Sequence, residues 1–185
     1  MTYLRWAGQS LALILLLPPA GLLAPFLSLR TGDGWPSWGG WFWTWDNPPQ
    51  GDRGFLTKRA PFPNAVTGWR GWVNRTAWLW RNPLYGLKRR LAVPLLGDTE
   101  LPIITGDSYI SDRYGPPGRR RATIWRDGGI DAFELYIVRP YKLFPNRCLR
   151  VRVGWKIGGD SFLEDGFAPL VCVINPFKSY GESIK

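Results

Sequence analysis

The sequence predicts an α+β protein with three parts: an N-terminal transmembrane or membrane-interacting helix, an amphipathic Trp/Arg segment, and a small antiparallel β-meander domain. Three observations support this fold class. One stretch near the N-terminus is long and uncharged, the positive charge is concentrated in one block, and the hydrophobic period becomes two in the second half. The predicted parts span residues 1–30, 31–90 and 91–185.

The uncharged stretch runs from Trp6 to Leu29, between Arg5 and Arg30. As one continuous helix it would reach about 36 Å, enough for a hydrocarbon core of about 30 Å. Three prolines interrupt it, so it forms one kinked helix, two shorter helices, or a segment that dips in and returns. The three are Pro18, Pro19 and Pro25. A cleaved signal peptide and a buried core helix are the competing interpretations, and we favour a membrane anchor because the apolar run is long and lacks an Ala-x-Ala site.

The formal net charge of +10 comes almost wholly from residues 53–90, which hold nine basic residues and no acidic one. Nine of the twelve Trp lie between residues 35 and 80. Gly and Pro predict a loop over 34–49, and its five Trp suit the headgroup region of a bilayer. They are Trp35, Trp38, Trp41, Trp43 and Trp45.

A helix is predicted between Asn64, as a cap, and the stop signal Asn82-Pro83. Its apolar residues recur at helical spacing on one side, with arginines off that stripe. Such a helix lies flat on an anionic bilayer, and Lys88, Arg89 and Arg90 would extend the contact. The stripe could instead pack on the C-terminal domain, or bind single-stranded nucleic acid. The residues of this helix that we expect at the membrane interface are Trp69, Trp72, Trp80, Arg70, Arg75 and Arg81.

Alternating residues predict the C-terminal strands. The clearest strand covers 149–157, a second covers 132–138 after the turn Asp127-Gly128-Gly129, and a third covers 168–174, closed by Asn175-Pro176. Residues 105–111 add an edge, and no helix intervenes, which favours an antiparallel meander. Arg150, Arg152 and Lys156 form the polar row of the first strand. We expect this row to face solvent, and a phosphate-binding row is the alternative.

The composition excludes several kinds of chemistry. Without His there is no imidazole base and no His-ligated metal, and two Cys cannot form a four-ligand zinc site. Asp107 and Asp112 could approach Glu134, but turns attract Asp in any case. Cys148 and Cys172 lie on separate predicted strands. In a reducing compartment we expect both to be small core residues, whereas in an oxidising one they could form a disulfide. We therefore expect no enzymatic activity, no cofactor and no metal.

The ordered segments GWFWTWDNPPQGDRGF, WLWRNPLYGL, CLRVRVGWKIGG and VINPFKSYG are distinctive. Together with the hydrophobic N-terminus they resemble a family of small, uncharacterised proteins of tailed bacteriophages that infect Gram-negative bacteria. The resemblance implies a phage origin and a membrane anchor, without an activity. Turn and cap chemistry is the expected role of its motif residues. These are Asp46, Asn47, Pro48, Asn82, Pro83, Asn175 and Pro176.

We expect a non-enzymatic accessory protein anchored in the host inner membrane, where it acts at the envelope by binding. It would modulate a host envelope protein, exclude a second phage or help genome passage, with the lipid bilayer and a host or phage protein as partners. The basic block after the apolar stretch predicts a cytoplasmic C-terminal domain. One alternative is a virion component, associated with tail or capsid, whose N-terminus packs against other subunits. A second is a basic nucleic-acid-binding accessory protein.

Overall fold

The computed structural model describes residues 1–29, 37–44, 53–94, 102–112, 115–157 and 166–181. The chain forms two compact units. Unit 1 comprises Met1–Ser10 and Leu91–Lys185, and unit 2 comprises Leu11–Arg90. The first helix therefore contributes residues to both.

Unit 2 is helical in its described residues. The apolar helix α1 (Thr2–Leu27) supplies its first element and is followed by a 3-10 helix at Ser37–Trp41. Three more helices complete it: α2 (Arg53–Lys58), α3 (Gly68–Arg81) and α4 (Tyr85–Arg90). Phe55, Ala60 and Trp78 form a buried apolar cluster in this unit.

Unit 1 contains a five-stranded antiparallel sheet. Its strands, in spatial order, are β2 (Ile103–Gly106), β3 (Gly118–Arg126), β4 (Gly129–Pro140), β5 (Arg147–Trp155) and β7 (Leu170–Ser179). A separate pair joins β1 (Val93–Pro94) to β6 (Phe167–Ala168). Because neighbours in the sheet follow one another along the chain, the sheet is a meander, and the α+β prediction is confirmed.

The first turns of α1 pack on one face of this sheet. The ring of Tyr3 lies 4.6 Å from that of Phe133, and the indole N–H of Trp6 donates to the carbonyl of Val171 at 3.2 Å. The guanidinium of Arg5 lies 4.8 Å from the ring centroid of Trp155. Tyr3, Arg5 and Trp6 thus contact the sheet of unit 1, although none of the three is buried.

Three local features differ from the sequence prediction or decide between its alternatives. The helix α1 is continuous through all three of its prolines. The N-cap position of α3 is Thr67 and not Asn64, and the Thr67 side chain makes no capping hydrogen bond. The helix does end before Asn82-Pro83 as predicted. The strand β7 runs through Asn175-Pro176 to Ser179, because Pro is tolerated on an edge strand and a register shift opposite Cys148 and Arg150 accommodates it.

The expectation that the polar row of β5 faces solvent is wrong for Arg152, which is buried. Its guanidinium bonds Glu134, a carboxylate with no exposed surface, and Glu134 also accepts from Arg120 at 3.4 Å. Ile110 and Asp112 are both buried. Their segment contributes to the core of unit 1, since Ile110 clusters with residues of β4 and β5. Opposite charges compensate one another there, so burial costs less than it would for a lone arginine.

Candidate membrane interface

The part of α1 in unit 2 carries two apolar stripes with different surroundings. The buried stripe repeats at intervals of seven, four and three residues: Leu13, Ala20, Ala24 and Leu27. The exposed stripe repeats at intervals of four, seven and four: Leu11, Leu15, Leu22 and Phe26. Leu22 and Phe26 are 74% and 69% exposed, which is unusual for large apolar side chains in water.

Among the described residues, α1 is one helix long and apolar enough to cross a membrane, with a mean hydropathy of 2.1. A core helix of a soluble protein and a signal sequence share that length and composition. The exposed stripe is the feature that separates α1 from an ordinary core helix, because a core helix covers its large apolar side chains.

Two tryptophans of α3 donate hydrogen bonds to the backbone of α1. Pro25 has no N–H, so the carbonyl of Gly21 loses its helical donor, and the indole N–H of Trp80 donates to it at 2.9 Å. The indole N–H of Trp72 donates at 2.8 Å to the carbonyl of Pro25, one of the last four carbonyls of the helix. These bonds explain how the helix continues to Leu27 despite Pro25.

The side chain of Arg75 lies inside unit 2. Its Nε donates to the carbonyl of Ser28 and its Nη1 to that of Val66, each at 2.9 Å. The hydroxyls of Ser28 and Thr76 are 2.6 Å apart. Burial lowers the pKa of the Arg75 guanidinium. Arg75 therefore fixes the chain after α1 and offers no charge to a surface.

The other residues expected at the interface fall into three groups. Trp41, Trp69, Trp80, Arg70 and Arg81 are exposed, Trp72 is half-buried, and Trp43 is buried. The guanidinium of Arg70 lies 5.5 Å from the ring centroid of Trp69. Trp35, Trp45 and the side chain of Trp38 lie outside the described residues. The exposed residues are the ones available to a bilayer.

The motif residues that the structure describes act on the backbone. At the end of α3, the backbone N–H and the side-chain amide of Asn82 both donate to the carbonyl of Trp78, at 3.0 and 3.2 Å. In β7, the side-chain oxygen of Asn175 accepts from the N–H of Phe177 at 3.0 Å. Both contacts are of the capping and turn type. Asp46, Asn47 and Pro48 lie outside the described residues.

The sequence allowed Asp107 and Asp112 to approach Glu134, but it did not predict the arginines that join the charged cluster of the sheet. Tyr136 lies among them, with its hydroxyl 2.9 Å from Asp112 and the guanidinium of Arg152 4.7 Å from its ring centroid. Burial, followed by the hydrogen bond to Asp112, raises the pKa of Tyr136, so the phenol stays protonated at neutral pH. Asp107 is apart from this cluster and accepts from the N–H of Arg119. The arrangement holds the strands and the 107–112 segment together.

The two cysteines are free and lie on adjacent strands without meeting. Cys148 is opposite Lys178, whereas Cys172 is opposite Val153, five residues further along β5. Cys148 is buried and Cys172 is exposed. In the described part of the chain, no three Cys, Asp or Glu side chains group as metal ligands would.

The model of a family of unknown function (DUF7338) matches residues 1–182 of the chain. A comparison with curated proteins and one with solved structures found no match. The family match covers the helical unit and the sheet alike, and it assigns no activity to the chain.

Proposed function

We propose that this chain, which belongs to the family of unknown function DUF7338, is a non-enzymatic membrane-anchored binding protein. The observation that carries the proposal is the exposed apolar stripe of α1, opposite a second stripe that the protein itself buries. Removing apolar surface from water contributes about 25 cal/mol per Å². Lipid chains provide that gain for a helix that is apolar on every side.

The hydrogen bonds from Trp80 and Trp72 to α1 support the same environment. No water is available in a hydrocarbon layer, and each unpaired backbone carbonyl there costs several kcal/mol. Because the two indoles donate to the carbonyls of Gly21 and Pro25, this end of the helix is compatible with lipid.

The exposed aromatic and basic residues of unit 2 support contact with an anionic surface. Indole rings favour the headgroup region, and each Lys or Arg near an anionic leaflet contributes about 1 kcal/mol. Trp69 and Arg70 are exposed neighbours, as are Trp80 and Arg81. Residues 53–90 carry no carboxylate that would oppose this attraction.

The finer part of the proposal comes from the sequence. The resemblance implies that the protein is phage-encoded, so its place of action would be the inner membrane of a Gram-negative host. The basic block over residues 53–90 favours a C-terminal domain on the cytoplasmic side. The task of the protein there is binding to a host envelope protein or to another phage protein.

Flotation of the full-length protein with vesicles of phosphatidylcholine and phosphatidylglycerol tests the proposal. The wild-type protein should float with the vesicles. In about 1 M NaCl, which screens the attraction between the basic protein and the vesicles, the double variant Leu15→Lys with Leu22→Lys should stay in the dense fraction. Lys at the centre of a membrane helix is about 3 kcal/mol less favourable than Leu. Leu143→Lys is the matched control, since Leu143 is 86% exposed on a loop of the sheet, and it should float normally.

Two outcomes would contradict membrane anchoring. A wild-type protein that stays monomeric in water without detergent would place the stripe inside its own fold. A water-soluble assembly of defined size would favour the virion component, with the stripe buried between subunits.

A further inference from the structure

A cleft of about 240 Å³ lies in unit 2 against the middle of α1. Its walls are α1 between Leu16 and Leu23, Trp41 at the end of the 3-10 helix with the following Phe42, and Leu84. Every lining residue is apolar. The cleft is separate from the exposed stripe, whose residues do not line it.

Backbone contacts fix one side of this cleft. A Cβ on Gly86 would lie 2.0 Å from the carbonyl oxygen of Gly40, so α4 touches the 3-10 helix directly. Leu84, the buried wall residue before α4, has a positive φ of 54°. These backbone features fix the side of the cleft that Trp41 and Leu84 form.

A cation stands beside one wall. The Nη2 atom of Arg90 would lie 3.0 Å from a Cβ on Gly40, the residue before Trp41, and Arg90 is exposed. Lys88 belongs to the same turn, and burial lowers the pKa of its ammonium group. The described residues of unit 2 include no Asp or Glu, and the charge next to the cleft would attract an anion.

We propose that the cleft holds an acyl chain of an anionic phospholipid whose phosphate group contacts Arg90. The inference rests on the membrane association proposed above and adds a lipid class to it. The apolar walls match a hydrocarbon chain, and the adjoining guanidinium matches a phosphate. A free phosphate would leave the walls uncovered, and a neutral lipid would leave the cation without its partner.

Native mass spectrometry of the full-length protein in mild detergent tests this site. Phosphatidylglycerol and phosphatidylcholine with identical acyl chains serve as probes. We expect one retained phosphatidylglycerol per chain, with about a fivefold preference over phosphatidylcholine, the effect of one surface cation.

Two variants examine the two halves of the site. Arg90→Gln should lower phosphatidylglycerol retention about fivefold and leave phosphatidylcholine unchanged. Arg59→Gln is the matched control, because Arg59 is an exposed arginine of unit 2 that does not line the cleft, and it should retain lipid as the wild type does. Leu23→Trp, at a position already 44% exposed, should fill the cleft and reduce retention of both lipids.

The proposal is overturned if Arg90→Gln behaves as Arg59→Gln does, or if Leu23→Trp leaves retention unchanged. A protein that floats with vesicles but retains no lipid overturns this inference alone. Dimers without lipid would assign the cleft to a second copy and also overturn it. A wild-type protein that fails to float contradicts membrane association itself.

Discussion

Glu134 is a buried charged residue of the sheet that depends on its arginine partners. Its carboxylate is fully buried and bonds the guanidinium groups of Arg120 and Arg152, whose own exposure is small. Removing one member of a buried charge cluster leaves the others uncompensated in a medium that solvates them poorly.

We expect Glu134→Gln to lower the free energy of unfolding by about 3–5 kcal/mol. Urea unfolding of the full-length protein in detergent, followed by near-ultraviolet circular dichroism, measures the change. Asp107→Asn is the control, since Asp107 is exposed and its loss should cost about 1 kcal/mol or less. If the two changes lower the free energy of unfolding equally, the buried charge cluster contributes no more to stability than an exposed carboxylate does.

The cysteines should differ in their reaction with iodoacetamide. The thiol of Cys148 is buried, and burial, followed by the negative charge of Asp112, raises its pKa, which lowers the thiolate fraction at neutral pH. We expect one equivalent of rapid alkylation at Cys172 in the folded protein and a second only in denaturant. In Cys172→Ser the rapid phase should vanish. Rapid labelling of Cys148 at pH 7 would contradict the burial described here.

At the scale of elements, α1 depends on α3. The carbonyl that Pro25 frees is bonded by Trp80, and the carbonyl of Pro25 itself by Trp72. The helix is therefore completed by donors from another element.

A double-mutant cycle tests this dependence. Trp80→Phe should destabilise the protein by about 1–2 kcal/mol, because the Gly21 carbonyl loses its donor. In a Pro25→Ala background the same change should cost less, since an alanine at that position has the N–H that a helix normally offers to the carbonyl four residues earlier. Thermal unfolding in detergent measures both values, with Trp69→Phe as the control on the same helix. Additive effects would show that the indole and the missing N–H are unrelated.

Local patterns predicted which elements form, but not how they meet. Period-two alternation located β4 and β5, and Asn82-Pro83 marked the end of α3. Alternation leaves both faces of a strand available, and burial of the face with Arg152 depends on Glu134 in β4 and on a segment some forty residues earlier. A pattern of spacing within one strand contains no information about such distant partners.

In the candidate membrane interface, too, local spacing predicted the kind of residue but not which side chains are exposed. Helical spacing placed Trp69, Trp72 and Trp80 on one stripe, yet Trp72 is half-buried and the other two are exposed. Arg75 resembles Arg70 and Arg81 in the sequence, but it bonds the carbonyl of Ser28 and is buried. The composition indicated an aromatic and basic interface, whereas contacts from α1 decide which side chains remain available to it.

At the scale of the whole molecule, the net charge of +10 and the apolar stripe make different contributions. Charge attracts the protein to an anionic leaflet and is screened by salt, whereas burial of the stripe is not. A protein held by charge alone leaves the membrane at high salt.

We therefore expect the wild-type protein to remain with sedimented membranes in about 1 M NaCl, where the screening length is about 3 Å, and to be released by detergent. The double variant Leu15→Lys with Leu22→Lys should be released by salt alone, because only its charges still hold it. Immunoblots of pellet and supernatant measure both. Release of the wild type by salt would show that the protein is peripheral.

The hydrogen bonds from Trp72 and Trp80 to α1 can form only some time after α1 has been synthesised. The donors follow their acceptors by 47 and 59 residues, so the ribosome makes the helix well before its partners. At about 5–20 residues per second, the carbonyl of Gly21 waits about 3–12 s for its indole. During that interval the newly made helix has an open backbone site, and a translocation machinery or chaperone that shelters it would act in this window.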